Sequence, residues 1–416
     1  MKSLQFLLIT ALVAFFTISC QKTETQIVLT NDTPYDRVDE PVIISRADLE
    51  KQTGKISNRF VPMLESEGGK VIPSQADDIN GDGNWDELFL LANVPAHSEI
   101  QLSVSLVNPG QLPVFLQRSN VWLASPQDDG TYKEVKEAIR PAISRENHTE
   151  TRKHFQFEGP GWENDRVGFR IYFDDRNGID IFGKTTEIMV LENVGIDEDY
   201  HVMQEWGMDI LKVGASLGGG SIALEVDGNL HRVAPGSDGS YKLVTNGPLR
   251  SIFQLRYDNW NVNGNQFNVL HEITMYGGAW YYQSDISVEG NVQDVNIITG
   301  ITTLDLDEKQ ADFTDFENGI VSLSTHGRQA IEGEYLGMAV MLEKDDYLGY
   351  DYLDGDAEDI NHSFIVRMKK SDKPTSFKFY SAWELSDPDF ASAEKFEELL
   401  RADALKMGSP IQVKIK

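Results

Sequence analysis

The chain has 416 residues and a formal net charge of −29 at neutral pH. So large a negative surplus excludes nucleic acid and an anionic membrane surface as partners, because either would be repelled over the whole body. It leaves room for a small anionic ligand, and the length is enough for a large core, expected as two domains.

Lys2, an apolar run over residues 4–16, small residues and then Cys20 read as an export signal, residues 1–19, ending at a lipoprotein cleavage site, with Thr17 where leucine is usual. The run is shorter than the ~20 residues that span a bilayer. The expectation is therefore a lipidated Cys20 and an outer-membrane lipoprotein that touches membrane through that anchor alone. Cys20 is the only cysteine, so no disulfide can form and packing must hold the exported chain together.

Residues 26–29, 61–64, 87–91 and 99–107 read as short strands punctuated by turns, a small N-terminal antiparallel β domain. A polar connector over 125–151 follows. The boundary is expected near residue 150, which divides the mature chain into 20–150 and 151–416. Longer strands then recur at 166–173, 220–226, 249–257, 266–276, 280–288, 292–298, 334–341, 364–369 and 376–382, spaced as hairpins of large stacked sheets. Helix is scarce. One is expected over 200–210, and a second where Asp389 or Ser392 caps a stripe of Phe396, Leu399 and Leu400 that Gly408 ends.

The stretch 159–184 is the richest in usable chemistry. From Arg166 the pattern alternates: Val167, Phe169, Ile171 and Phe173 face one way, and Arg166, Gly168, Arg170, Tyr172 and Asp174 the other. The first face is core. The second, framed by Trp162 and Phe182, is a polar platform of a kind that suits an anionic, ring-shaped ligand. Between residues 133 and 184, ten Lys/Arg balance ten Asp/Glu, so this window is neutral within an acidic chain.

Other constellations carry less. Asp78, Asn80, Asp82, Gly83, Asn84 and Asp86 follow the first nine positions of a calcium loop, but Phe89 stands at the twelfth, with Glu87 nearby as a substitute. Any calcium there is expected to be structural; the alternative is an Asx-rich turn. The stretch 214–218 fits the Gly-x-Ser-x-Gly elbow of hydrolases, yet Gly219 and Gly220 disfavour the helix that must follow. The eight histidines form no pair with zinc spacing. His271 lies on a core face, and His201 begins a polar-aromatic run with Glu205, Trp206, Asp209 and Lys212. Tyr276, Gly277, Gly278, Trp280, Tyr281 and Tyr282 form an aromatic hairpin that suits a sugar face as well as a core.

The segments 161–165, 168–170, 180–184 and 206–214, together with 75–88, resemble a family of exported bacterial lipoproteins found with polysaccharide-degradation genes, the ulvan oligosaccharide dehydratases. The resemblance covers nearly the whole mature chain. It implies a large mutarotase-like β-supersandwich and a carbon–oxygen lyase that needs no cofactor and acts on sulfated, uronic-acid-ended oligosaccharides. Removal of water across C4 and C5 of the terminal glucuronic or iduronic acid would leave a 4,5-unsaturated end for an unsaturated glucuronyl hydrolase. Abstracting a proton beside a carboxylate calls for cationic hydrogen bonds, so Arg170 is expected to clamp the carboxylate with Arg166 assisting. His201 or His271 fits a base by type and Tyr172 an acid, with Lys212 or Asp209 tuning them. Trp162, Glu163, Asp175, Trp206 and Tyr281 are the further substrate-binding candidates. Two other readings remain: a non-catalytic glycan-binding lipoprotein, and a glycoside hydrolase using a carboxylate pair such as Glu163 and Asp175.

Overall fold

The computed structural model describes residues 25–233, 235–290, 294–355 and 359–416. The export signal and Cys20 lie outside them. Among the described residues no helix is long and apolar enough to cross a membrane.

Alternating sequence becomes alternating burial, and the protein is mostly β with stacked antiparallel sheets. A nine-stranded sheet, running from Glu137–Ile139 at one edge to Asp312–Phe316 at the other, faces two five-stranded sheets. One of these holds Val167–Ile171 as its middle strand, between Gly161–Asn164 and Ile179–Lys184. The other is built around Val295–Thr302. Val167, Phe169 and Ile171 meet Phe253, Tyr282 and Phe379 of the long sheet in one continuous core.

The N-terminal unit is a smaller sandwich of a five-stranded and a three-stranded sheet enclosing Ile27, Val42, Leu64 and Leu90. The chain's last strand, Gln412–Ile415, pairs antiparallel with Gln26–Asn31 and completes this unit. Strand Arg37–Ser45 runs into an unexpected helix, Arg46–Thr53, whose N-cap Ser45 accepts from the Asp48 N–H. The C-terminal helix, Ala393–Gly408, is capped by Ser392 and buries Phe396 and Leu400 against the outer face of the nine-stranded sheet.

Three expectations need correcting. The boundary at 150 falls inside the larger body, because Ser119–Trp122 pairs with Gly161–Asn164 and Glu137–Ile139 pairs with Asp238–Asn246. Residues 200–210 form turns and a short strand, Gly207–Asp209, rather than a helix. Gly207 sits at φ +127, where an added Cβ would strike the Gly183 carbonyl, so the backbone is pinned to the neighbouring strand in a conformation no helix contains. Trp162 lies on the core side of its strand rather than on the platform: it is fully buried and packs against Phe169, Phe253 and Tyr282 at 5.2 to 5.7 Å between ring centroids. Trp162→Ala is expected to cost about 3–5 kcal/mol of unfolding free energy by urea titration; a stability close to that of the parent protein would return Trp162 to the list of ligand contacts.

Candidate functional site around the Arg170 cluster

The platform face of Val167–Ile171 is not open. The segment between Lys184 and Gly207 folds over it, and Val190, Leu191, Val194, Tyr200 and Trp206 pack with Phe157 and Phe182 into a second, smaller core. This cover is fastened by a buried ion pair. Lys184 Nζ donates to Glu163 at 2.5 Å and to the carbonyls of Asn164 and Ile188 at 2.7 and 2.8 Å, while the other Glu163 oxygen accepts the Val190 and Leu191 N–H groups. Glu163 is thereby sealed. Asp175 pairs instead with Arg140 at 3.3 Å beside a separate cavity of about 670 Å³, and burial raises its pKa. The two do not form the carboxylate pair a glycosidase needs.

Beneath the cover Arg170 has no exposed side-chain surface. One of its terminal nitrogens donates to the Phe157 carbonyl at 3.1 Å and the Tyr200 hydroxyl at 2.9 Å; the other donates to the Tyr172 hydroxyl at 3.0 Å and to Asp180. Asp209 and Glu158 lie at 3.3 and 3.5 Å. Three carboxylates already surround this guanidinium and none of it is exposed, so it is not placed to clamp a substrate carboxylate as the sequence suggested. Arg170 instead gathers two phenols onto one cation.

The accessible cations belong to neighbours. Arg176, fixed by Asp174 at 2.7 Å, lies 3.7 Å above the Tyr172 ring. Arg152, half exposed, covers the Tyr200 ring and donates to its hydroxyl at 2.8 Å. His201 lies against the same tyrosine at a 32° tilt with 4.3 Å between centroids, and its Nδ1 meets Asp199 at 2.9 Å, which turns Nε2 away from that carboxylate. Tyr172 is partly accessible, and burial pushes its phenol up to about 12, so it is protonated at neutral pH. Burial also raises Asp209, against the pull of Arg170.

Of the expected residues, Arg170, Tyr172 and Asp209 thus come together, with His201 on the rim. The others do not. Arg166 pairs outward with Glu187 at 3.6 Å and rests on Trp280. Lys212 is exposed and reaches Asp305 at 3.6 Å. Trp206 belongs to the cover, its indole N–H donating to Glu198 at 2.8 Å. His271 is fully buried in the long sheet against Ser284. Tyr281 lines a different cavity. In the 214–218 stretch, Ser216 is buried and donates to the Val213 carbonyl, so it is no nucleophile. In the loop 78–86 the carboxylates accept backbone N–H groups, Asp78 from Gly81, Asp82 and Gly83 and Asp86 from Ile79 and Asn80. Asn80 and Asn84 turn to Asp86 and Asp82, and among the described residues no three His, Cys, Asp or Glu side chains converge to hold a metal. The loop is an Asx turn in this arrangement.

Residues 29–413 match a family described as a domain of unknown function, DUF4861. The chain belongs to the DUF4861 family. It is 22% identical to "Uncharacterized protein P7" of Formosa agariphila over 426 residues, covering 96% of each chain. Among solved structures, an alpha-mannosidase from Enterococcus faecalis V583 aligns with TM-score 0.49 and 9% identity over 95% of this chain, which spans about half (46%) of that enzyme. A putative aldose 1-epimerase from Klebsiella pneumoniae subsp. pneumoniae aligns with TM-score 0.34 and 8% identity over 70% of this chain and 96% of its own. The motifs of this DUF4861 protein that stand out in sequence, 161–165, 180–184 and 206–214, supply strand and cover around Arg170. Arg152, Arg176 and Asp199 border the cluster and were not among the expected site residues, although the spacing of Asp199 and His201 and the cation-rich window were visible signals.

Two outcomes check this geometry. Arg170→Gln leaves Asp180, Asp209 and Glu158 without their shared cation, and is expected to destabilise the fold by about 3–5 kcal/mol in urea, whereas loss of a mere substrate clamp leaves stability intact. His271 supplies the pH test. Burial pushes its imidazole down to about 3 from the ordinary 6.5. As pH falls below 6.5 the unfolded chain takes a proton that the folded chain refuses, so stability drops between about 6.5 and 3 by up to ~1.4 kcal/mol per pH unit. The stability difference between parent and His271→Gln should carry that slope below pH 6.5 and become independent of pH above 7.

Proposed function

We propose that this protein is a carbon–oxygen lyase that dehydrates the terminal glucuronic or iduronic acid of ulvan-type oligosaccharides, leaving a 4,5-unsaturated uronyl end. It would work as an exported lipoprotein anchored through Cys20 and pass its product to an unsaturated glucuronyl hydrolase. The observation that carries the reading is the grouping of two tyrosyl hydroxyls on one buried guanidinium, with an Asp199–His201 pair and Arg152 on the outer phenol. Elimination beside a carboxylate needs a base, an acid and a cation, and all three types are present here.

In this scheme His201 Nε2 takes the C5 proton, and the C5–H electron pair forms the C4–C5 double bond. The C4–O bond breaks as Tyr172 gives its proton to the departing hydroxyl, which leaves as water. Arg152 offsets the second negative charge that develops on the substrate carboxylate. Arg170 holds the Tyr172 oxygen as an acceptor, so the phenolic proton is left to face the leaving group and the resulting phenolate has a cation beside it.

Incubation with uronic-acid-ended ulvan oligosaccharides should give an ultraviolet-absorbing product lighter by one water. Tyr172→Phe and His201→Ala should each lower kcat by at least about 10²-fold, His201→Ala with a melting temperature near that of the parent, and Arg152→Ala should reduce kcat more than it raises KM. New reducing ends would show a hydrolase and unchanged sugar a binding protein; full turnover by His201→Ala would remove it as the base.

A further inference from the structure

Away from the Arg170 cluster, three parts of the chain remote in sequence enclose a cavity of about 360 Å³, within the size range of small-molecule sites. Strand Arg37–Ser45 of the N-terminal unit forms one wall, the turn between Tyr276 and Tyr281 a second, and the C-terminal helix, through Asp403 and Lys406, a third. The turn is tied to its neighbours. Gly278 adopts φ +78, a Cβ there would strike Asp39 and Arg118, and its N–H is held by Asp165 at 2.6 Å.

The floor is the outer face of the nine-stranded sheet, where Gln283 stands opposite Lys378 and Tyr281 opposite Tyr380. Lys378 Nζ donates to the Tyr281 hydroxyl at 3.1 Å and lies 4.2 Å from that ring's centroid. It makes no ion pair with a described carboxylate, although acids line the same cavity. Each of those is engaged elsewhere: Asp39 by two hydrogen bonds from Arg118 at 2.8 Å, Glu40 by Arg37 at 3.1 Å, and Asp403 by Lys406 at 2.8 Å and the Tyr380 hydroxyl at 3.2 Å. An ammonium has three donors, and one is used. Burial lowers the pKa of Lys378, as expected of a cation withdrawn from water without a counter-charge in contact. A second hollow of about 510 Å³ starts at the same place, with Gln283, Lys378 and Met407 lining both.

We infer that this cavity binds the acidic end of a saccharide, with a carboxylate or sulfate on Lys378, a ring hydroxyl on the Gln283 amide, and the next sugar extending into the second hollow. The tyrosine and tryptophan walls suit the apolar faces of a sugar ring, and the unspent ammonium selects for negative charge in a protein whose overall charge repels it. The site lies on a different sheet from Tyr172 and His201, and its occupancy does not require that dehydration occur.

Isothermal titration with glucose 6-sulfate, methyl β-glucuronide and uncharged methyl β-glucoside tests the inference on the whole protein. Both acidic sugars should bind more tightly than the glucoside. Lys378→Met should raise their Kd at least about tenfold, the loss of one charged hydrogen bond, without altering the glucoside or dehydration. Tyr281→Phe, which keeps the ring and removes the hydroxyl that orients the ammonium, should raise it about threefold and serves if Lys378→Met does not fold. A response to only one acidic sugar supports the site and identifies the anion. Acidic sugars that titrate both variants like the parent overturn it. Failure of the proposed reaction is read separately, on Arg152→Ala and His201→Ala.

Discussion

A single buried guanidinium organises the region richest in chemistry. Arg170 has no water to solvate it, so its charge must be met by protein, and three carboxylates and two phenols converge to do so. A network of this kind is costly if any member is left unsatisfied, which makes the positions of Tyr172, Tyr200 and Asp209 interdependent. The cluster carries more acid than base in its inner layer, and Arg152 and Arg176 redress the balance from outside through Glu158. Of the two, Arg152 is half exposed and Arg176 is largely buried.

Two further polar fastenings place large parts of the chain around the sheets. Glu163 and Lys184 tie the cover down over the outer face of the strand Val167–Ile171. Arg250, also buried, ties the N-terminal unit to the nine-stranded sheet through Asp77 at 2.8 Å and Glu87 at 2.6 Å, while Gln75 bonds the Leu249 and Arg250 backbone. Segments 75–88, 161–165 and 180–184, which carry the family resemblance, thus serve chiefly as joints between layers. The joint at Arg250 also shapes a cavity, because holding the N-terminal unit against the long sheet creates the wall opposite Lys378.

Much of the β architecture is legible along the chain. Strand 266–276 appears as Asn265–Tyr276, strand 376–382 as Thr375–Trp383, and the helix capped by Ser392 as Ala393–Gly408, since period-2 alternation and caps are local signals. Strands such as Ile179–Lys184, buried on both faces, and the short Gly161–Asn164 lack that alternation. The site was less legible. Alternation separated Arg170 and Tyr172 from Phe169 and Ile171 correctly, but it cannot reveal what covers a face, and the cover's Val190, Val194, Tyr200 and Trp206 follow no period. Trp162 was misjudged for the same reason: an aromatic beside a polar strand can face either layer.

The order of residues alone settled the class of elements, the face on which each strand carries its apolar side chains, and the acidic character of the surface, because these follow from neighbours a few positions apart. It could not settle which charges are solvated. Arg170 and Arg152 are the same residue type in the same neutral window, yet one is sealed among three carboxylates and the other is half exposed. That difference arises from contacts between residues far apart in the chain, and it determines which cation is sealed in the fold and which keeps a solvent-facing edge.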